Sequence, residues 1–261
     1  MSILYSIPVH ECSECVKQMC DGILFFDNNA IIVLHVSDSQ HIDFYKTDND
    51  RILINSKQFE TRWGWDLSRI HVSNYLYAKS KFEISDIIFL TSNCLMLRNP
   101  TEYIKDYDCG FSEYRHDASK LTPPLLVEDY QIGWAGDLPK SQEYKSILKE
   151  LNTDKLYGCV IDGGYVKSKI MDKIVYLYEK YYNYKTFGFS LEEQLIPTIA
   201  CNISNKISDA LLHMGDQRLD GFKLLLQKED VFFNKRIPRD MDNELRKYYN
   251  TIIYENINYG S

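Results

Sequence analysis

The stretch Ile3–Val36 reads ILYSIPVHECSECVKQMCDGILFFDNNAIIVLHV, and its two apolar ends decide the fold. Ile3–Val9 and Ala30–Val36 are short aliphatic runs of the kind that make strands buried on both faces. Between them, His10 to Phe25 reads as a helix with Val16, Met19, Ile23 and Leu24 on one side. Strand, helix and strand in so short a span form a βαβ unit, which implies a parallel sheet and a right-handed crossover.

The pattern continues outward. Arg51–Asn55 reads as a short strand, Ser68–Ala78 as a helix and Ser85–Thr91 as a further central strand. Residues 106–145 hold Pro123-Pro124, Gly133, Gly136 and Pro139 without a clear period. They read as a long irregular excursion with strand-like pieces around Leu126 and Ile132, and such loops are often functional. Helices are expected over Glu143–Leu151 and Lys167–Tyr182, the second with Ile170, Ile174, Leu177 and Tyr181 in register. Gly158–Asp162 reads as a strand or turn. Leu191–Cys201 is helical, with an interruption expected at Pro197. Short strands around His213 and over Val231–Phe233 precede a last helix from Asp240 to about Tyr249. The fold class is therefore α/β, a mixed, mainly parallel sheet flanked by helices. Ligands are expected beyond the carboxyl ends of its strands, at Pro8–His10, His35–Ser37 and Thr91–Cys94.

Composition narrows the function. The 261 residues are 44% hydrophobic and 26% charged, which is ordinary for a globular chain. A net charge of -7 with no long basic run argues against general nucleic-acid binding and against anionic membranes. No basic n-region with a cleavage site is read at the N-terminus, and no window is long enough to span a membrane, so a cytoplasmic location is expected. The seven cysteines are scattered, as in a reducing compartment. Cys12-Ser-Glu-Cys15 lacks a second ligand pair for zinc and reads as two thiols on one helix.

Several blocks together resemble the core-2/I-branching family of glycosyltransferases, which have a GT-A-type, Rossmann-like fold. They are ILYSIPVH and AIIVLHVS at the first two strands, Thr61-Arg62-Trp63-Gly64-Trp65, the run from Asp86 to Arg98, Leu191-Glu-Glu-Gln-Leu-Ile-Pro-Thr198 and Lys235-Arg236-Ile-Pro-Arg239. Ser37 and Cys94 stand where the family carries Asp. The resemblance implies one domain over 1–261, with 1–105 as the nucleotide-sugar-binding half and 106–261 as the acceptor-binding and catalytic half. It implies inverting transfer of a sugar from a nucleoside-diphosphate donor, a UDP-sugar by preference, to a hydroxyl of a glycan acceptor, as in polysaccharide synthesis. It also implies that no metal is required, because basic side chains near the C-terminus serve the leaving group.

Such a transfer needs a base for the acceptor hydroxyl, a held sugar and positive charge at the departing diphosphate. Glu193 matches the family's general base, and Glu192 is the fallback. Ser190-Leu-Glu-Glu193 is also a capping box, which is the purely structural alternative for the same residue. Lys235, Arg236 and Arg239 are the diphosphate candidates, ahead of a helix start expected at Asp240 that would add free N–H groups. Arg218, Lys223 and Arg246 are weaker candidates. A solvated basic turn paired with Asp240 or Asp242 is the bland reading of the same cluster. Donor nucleotide contacts fall to Pro8, Val9, His10, Val36 and Ser37. Sugar and acceptor contacts fall to Asn93, Trp63 and Asp162, with Trp65 and Trp134 also able to stack. His10 and His35 are equally compatible with structural roles. Asp48-Asn49-Asp50 is a literal Asp-x-Asp, open to a metal-dependent reading, but clustered Asp and Asn before a short strand favour a turn. A domain that binds nucleotide or glycan without catalysis, working in an assembly complex, is the competing class.

Overall fold

The computed structural model describes residues 1–37, 39–59, 67–111, 140–185, 191–215 and 218–255. Seven strands form the main sheet: β1 (Ser2–Val9), β2 (Ala30–Val36), β3 (Ile52–Ile54), β4 (Ile84–Phe89), β6 (Cys109–Phe111), β7 (Tyr165–Lys167) and β8 (Ile207–Asp209), in the order β3-β2-β1-β4-β7-β6-β8. β5 (Cys94–Met96), β9 (Leu212–Met214) and β10 (Phe233–Lys235) make a small second sheet, in the order β5-β10-β9. In the main sheet only β7, among the described strands, runs against its neighbours β4 and β6. The mainly parallel α/β sheet expected from the sequence is thus present, and β1 and β2 pair in parallel around the helix that joins them.

The helices are α1 (Ser13–Phe26), α2 (Ser68–Lys79), α3 (Thr101–Ile104), α4 (Gln142–Leu151), α5 (Ser168–Tyr181), α6 (Glu192–Ile203), α7 (Leu219–Leu226) and α8 (Glu244–Glu255). A 3-10 helix covers Ser39–Tyr45. Strand side chains alternate between two cores. Leu4, Ile31, Val33, Ile87 and Phe89 pack with Val72, Tyr75, Ile170, Ile174, Leu195 and Ile199. Ile3, Tyr5, Ile7, Ile32, Leu34 and Ile88 face the other way, onto Val16, Met19 and Ile23 of α1 and Phe233 of the small sheet. The period of two is that of a strand, and cover on both faces explains why these strands read as apolar runs. A third cluster joins α7 and α8 through Phe222, Leu225, Leu245 and Tyr249. No helix among the described residues is long and apolar enough to cross a membrane.

Several sequence expectations need correction. Helix α1 begins at Ser13, because His10 and Glu11 stay outside the helix and Cys12 occupies the N-cap at φ -64, ψ 155. The His10 N–H goes instead to Ser92 Oγ at 3.0 Å. Pro197 does not interrupt its helix. A proline there removes the bond to the carbonyl four residues back, and that carbonyl, of Glu193, accepts the Cys159 N–H at 2.9 Å. Gly158–Asp162, expected as a strand or turn, carries no strand and leads into a turn at Asp162. The strand that follows is Tyr165–Lys167, laid against β4, so the next helix starts at Ser168. The last helix starts at Glu244. Asp240 instead closes a turn, accepting the Asp242 N–H on Oδ1 at 2.9 Å, while Asn243 Oδ1 accepts the Leu245 N–H at 2.9 Å. The helix-terminal N–H groups expected at Asp240 therefore lie further along the chain. β10 is likewise displaced by two residues, to Phe233–Lys235. The pieces around Leu126 and Ile132 lie outside the described residues.

A buried polar network crosses the interior where β1 meets α2. Ser6 Oγ lies 2.8 Å from His71 Nδ1 and accepts from Asn74 Nδ2 at 3.0 Å. Asn55 Nδ2 donates to Asn74 Oδ1 and Ser73 Oγ, at 2.8 and 2.9 Å. Burial pushes the His71 imidazole down to about 3. Burial, helped by Arg69, pushes His35 down to about 4, and His35 Nε2 accepts the Phe59 N–H at 3.0 Å. Both rings are neutral in the folded chain, whereas unfolded histidine takes a proton near pH 6.5. Their contribution is therefore complete above about pH 6.5 and is lost as pH falls toward those lower values. Denaturant titrations are expected to show about 1.4 kcal/mol for each ring, roughly 2–3 kcal/mol in all, between pH 7.5 and 5.5. Replacing His71 with Gln should remove about half of that pH dependence, whatever it does to stability at pH 7.5. An unchanged slope would show that the ring is not held neutral.

Candidate functional site

The chain leaves β1 at His10, β4 at Thr91 and β10 at Arg236, and these three exits border one pocket of about 410 Å³. His10, Glu11, Thr91, Asn93, Lys235, Arg236 and Arg239 supply its polar lining. Strand ends are natural places for such a site, since turns there can aim side chains without disturbing the sheet. Five of these residues were expected from the sequence. Glu11 was not.

The basic segment 235–239 is held from behind. Asn93 Nδ2 donates to the Ile237 carbonyl at 2.9 Å. Arg246, only 1% exposed, donates to the Pro238 carbonyl at 2.5 Å, to Gln18 Oε1 at 2.5 Å and to Asn93 Oδ1 at 3.1 Å. Arg246 is thus a brace beneath the pocket, not a ligand-facing cation, and burial lowers its pKa. Cys15 Sγ reaches the Arg239 carbonyl at 3.5 Å, and burial pushes its thiol up to about 12. Cys12 and Cys15 sit at the start of one helix, the first exposed and the second buried.

Each of two pocket cations meets a buried carboxylate. Arg239 donates through Nε and Nη2 to Glu11 Oε2 and Oε1, at 2.6 and 2.8 Å. The Glu11 side chain is 2% exposed, and that of Arg239 is 71% exposed. The guanidinium has five N–H donors, so three of them remain for a ligand. Lys235 Nζ donates to Asp162 Oδ2. Burial pulls the Lys235 ammonium down, and the Asp162 charge more than offsets it, leaving its pKa above the usual value. The other Asp162 oxygen, Oδ1, is buried with no hydrogen-bond partner among the described residues.

Asp162 is placed by the two glycines after it. Gly163 has φ +73, and a Cβ there would lie 2.2 Å from Leu212 Cβ. Its N–H donates to the Phe89 carbonyl at 2.7 Å, and Phe89 N–H donates to Gly164 O at 2.8 Å. The turn is stitched to the end of β4, which sets the carboxylate behind Lys235. Arg236 has no ion pair among the described residues, is exposed and sits at φ 63. A non-glycine residue in that region costs about 1 kcal/mol or more, and such strain gathers at functional sites.

The remaining expected residues fall elsewhere. Glu193 is half-buried in the first turn of α6 and is not part of the pocket lining. Its carbonyl accepts the Cys159 N–H, on the segment that leads to Asp162, and burial together with the Glu193 and Asp162 charges raises the Cys159 thiol. Glu192 is buried and its Oε2 accepts the Leu67 N–H at 2.9 Å, at the start of α2. Pro8, Val9 and Val36 are buried within the sheet, and Ser37 is half-buried at the end of β2. None of them lines the pocket. Trp63, Trp65, Trp134 and Ser190 lie outside the described residues. Lys223 stacks on Tyr248 at 4.9 Å and Arg218 occupies the N-cap position of α7, both away from the pocket lining. Asp48 and Asp50 are exposed on a turn around Asn49, whose Oδ1 accepts the Arg51 N–H at 3.0 Å. Among the described residues no third acidic, His or Cys ligand joins them, so they do not form a cation cage.

Fold and pocket define an α/β protein with a basic site at the carboxyl ends of its central strands. No protein-family model matches the chain, and no curated protein matches it. Among solved structures it is similar to TarS residues 1–349 of S. aureus, with 13% identity, a TM-score of 0.46 and coverage of 98% of this chain and 70% of that one. It is similar to the same protein in complex with UDP-GlcNAc, with 13% identity, a TM-score of 0.45 and coverage of 98% and 71%. It is also similar to the galactosyltransferase LgtC in complex with donor and acceptor sugar analogues, with 11% identity, a TM-score of 0.42 and coverage of 98% and 96%. These are distant likenesses.

Proposed function

We propose that this protein is a glycosyltransferase of the GT-A type, related to the core-2/I-branching family. It takes a sugar from a nucleoside diphosphate, a UDP-sugar in the first place, and passes it with inversion to a hydroxyl of a glycan. The observation that supports this best is the gathering of His10, Asn93, Lys235, Arg236 and Arg239, far apart in sequence, around one pocket at the strand ends. Lys235, Arg236 and Arg239 hold the diphosphate, and Arg offers forked donors suited to its oxygens. Asn93 and Asp162 meet the sugar. Ser37, half-buried at the end of β2, meets the donor base, Pro8, Val9 and Val36 fix the strand ends from within the sheet, and Trp63 serves the acceptor. The acceptor hydroxyl attacks the anomeric carbon, its proton passes to Glu193, and the bond to the diphosphate breaks with the electron pair going to oxygens held by the basic segment. These cations serve the leaving group without a required metal.

A second reading, a nucleotide- or glycan-binding domain without catalysis, is favoured by one observation. Glu193 is not in the pocket lining, while Lys235 and Arg239 are already paired. Binding and turnover of UDP-, GDP-, dTDP- and CMP-sugars, with and without EDTA and with acceptor mixtures, separates the two. One donor is expected to bind and turn over in EDTA. Binding without turnover would favour the second reading, no binding of any nucleotide sugar would end the first, and no binding of nucleotide sugar or glycan would end both.

A further inference from the structure

His10 stands at the mouth of the pocket with 54% of its side chain exposed. Its ring Nδ1 is 3.2 Å from Ser92 Oγ, and its Nε2 is 3.4 Å from Glu11 Oε1. Ser92 Oγ already accepts the His10 backbone N–H, so its own hydrogen is free to go to Nδ1. The neutral ring then carries its proton on Nε2. At 3.4 Å the contact with Glu11 is looser than an ordinary hydrogen bond, which leaves Nε2–H able to turn to a ligand.

The charges around the ring are Glu11, Lys235, Asp162 and Arg239, with Arg236 on the same wall. Lys235 is offset by Asp162 and Arg239 by Glu11, so among the described residues Arg236 supplies the one uncompensated positive charge of the lining. A diphosphate diester brings two negative charges. Burial holds the His10 pKa below its usual value, with Glu11 opposing and Lys235 adding to the effect. An entering anion changes that balance, because a negative charge at contact distance favours the imidazolium.

We propose that His10 takes up a proton as a phosphorylated ligand enters and binds it as an imidazolium, with Glu11 as the positioning residue that holds Arg239. This rests on the reading of the pocket as a diphosphate site. The proton passes from solvent to Nδ1, the Ser92 hydroxyl rotates to accept from it, and Nε2–H donates to a phosphate oxygen. The departing diphosphate then meets a second uncompensated positive charge.

Sulfate, which keeps its double charge from pH 5 to 8.5, is the probe. Imidazole NMR signals are followed across that range with and without 50 mM sulfate, while Arg239 Nε and Lys235 Nζ signals report binding. The His10 midpoint is expected to rise by about one pH unit in sulfate, so that sulfate affinity increases about fivefold from pH 8 to pH 6. Glu11→Gln should lower the His10 midpoint both with and without sulfate, while the rise on adding sulfate stays. If that variant fails to fold, His10→Gln serves instead, and its sulfate affinity should be flat over the same range. Sulfate that moves the Arg239 signal while the His10 midpoint stays would overturn the proposal and leave the anion site standing. Sulfate that moves neither Arg239 nor Lys235 would overturn the diphosphate reading and the proposal with it.

Discussion

Replacing Arg246 with leucine is expected to destabilise the folded chain by about 3 kcal/mol and to weaken sulfate binding, although Arg246 does not line the pocket. The side chain is buried and donates to Pro238 O, Gln18 Oε1 and Asn93 Oδ1. Hydrogen bonds from a charged donor contribute about 1.5–3 kcal/mol each. Part of that is returned when a buried charge with no carboxylate at ion-pair distance among the described residues is removed. What remains is the cost of leaving three buried acceptors unserved. Two of them, Asn93 and Pro238, shape the basic segment, so the loss should reach the pocket. Arg246→Lys keeps the charge but not the fork, and should fall between wild type and leucine. Chemical denaturation and sulfate titration measure both effects. A leucine variant within about 1 kcal/mol of wild type would show that the brace is dispensable.

The sheet was legible because its strands are buried on both faces. Ile3–Val9, Ala30–Val36 and Ser85–Thr91 are dominated by aliphatic and aromatic residues, and all three fall on central strands of the structure. Three-residue strands such as Tyr165–Lys167 and Ile207–Asp209 carry no period long enough to read. Helix ends were misplaced where a long-range partner captured a backbone group. The His10 N–H goes to Ser92, and the Glu193 carbonyl goes to Cys159. The same reason limited the site. Five charged or polar pocket residues announced themselves by type and by their place at strand ends. Glu11 did not, because its meaning lies in Arg239, which is 228 residues away. Asp162 was found as part of a turn, while its pairing with Lys235 was not. Arg246 showed as a basic residue near a basic segment, and only packing distinguishes a brace from a ligand.

Glu193→Gln is expected to lower turnover by about 10²–10⁴-fold while leaving donor affinity within about twofold. An amide of the same shape keeps the packing of the first turn of α6 but cannot take the acceptor proton. The neighbouring carboxylate is the control. Glu192 is 4% exposed and its Oε2 accepts the Leu67 N–H. Glu192→Gln should therefore cost stability, about 1–2 kcal/mol, and leave turnover largely intact. The contrast separates chemistry from scaffolding at adjacent positions of one helix. Turnover lost in Glu192→Gln and kept in Glu193→Gln would move the base to Glu192. Turnover kept in both would leave Asp162 as the next carboxylate to test. It follows the segment that the Glu193 carbonyl holds, and its Oδ1 has no hydrogen-bond partner among the described residues.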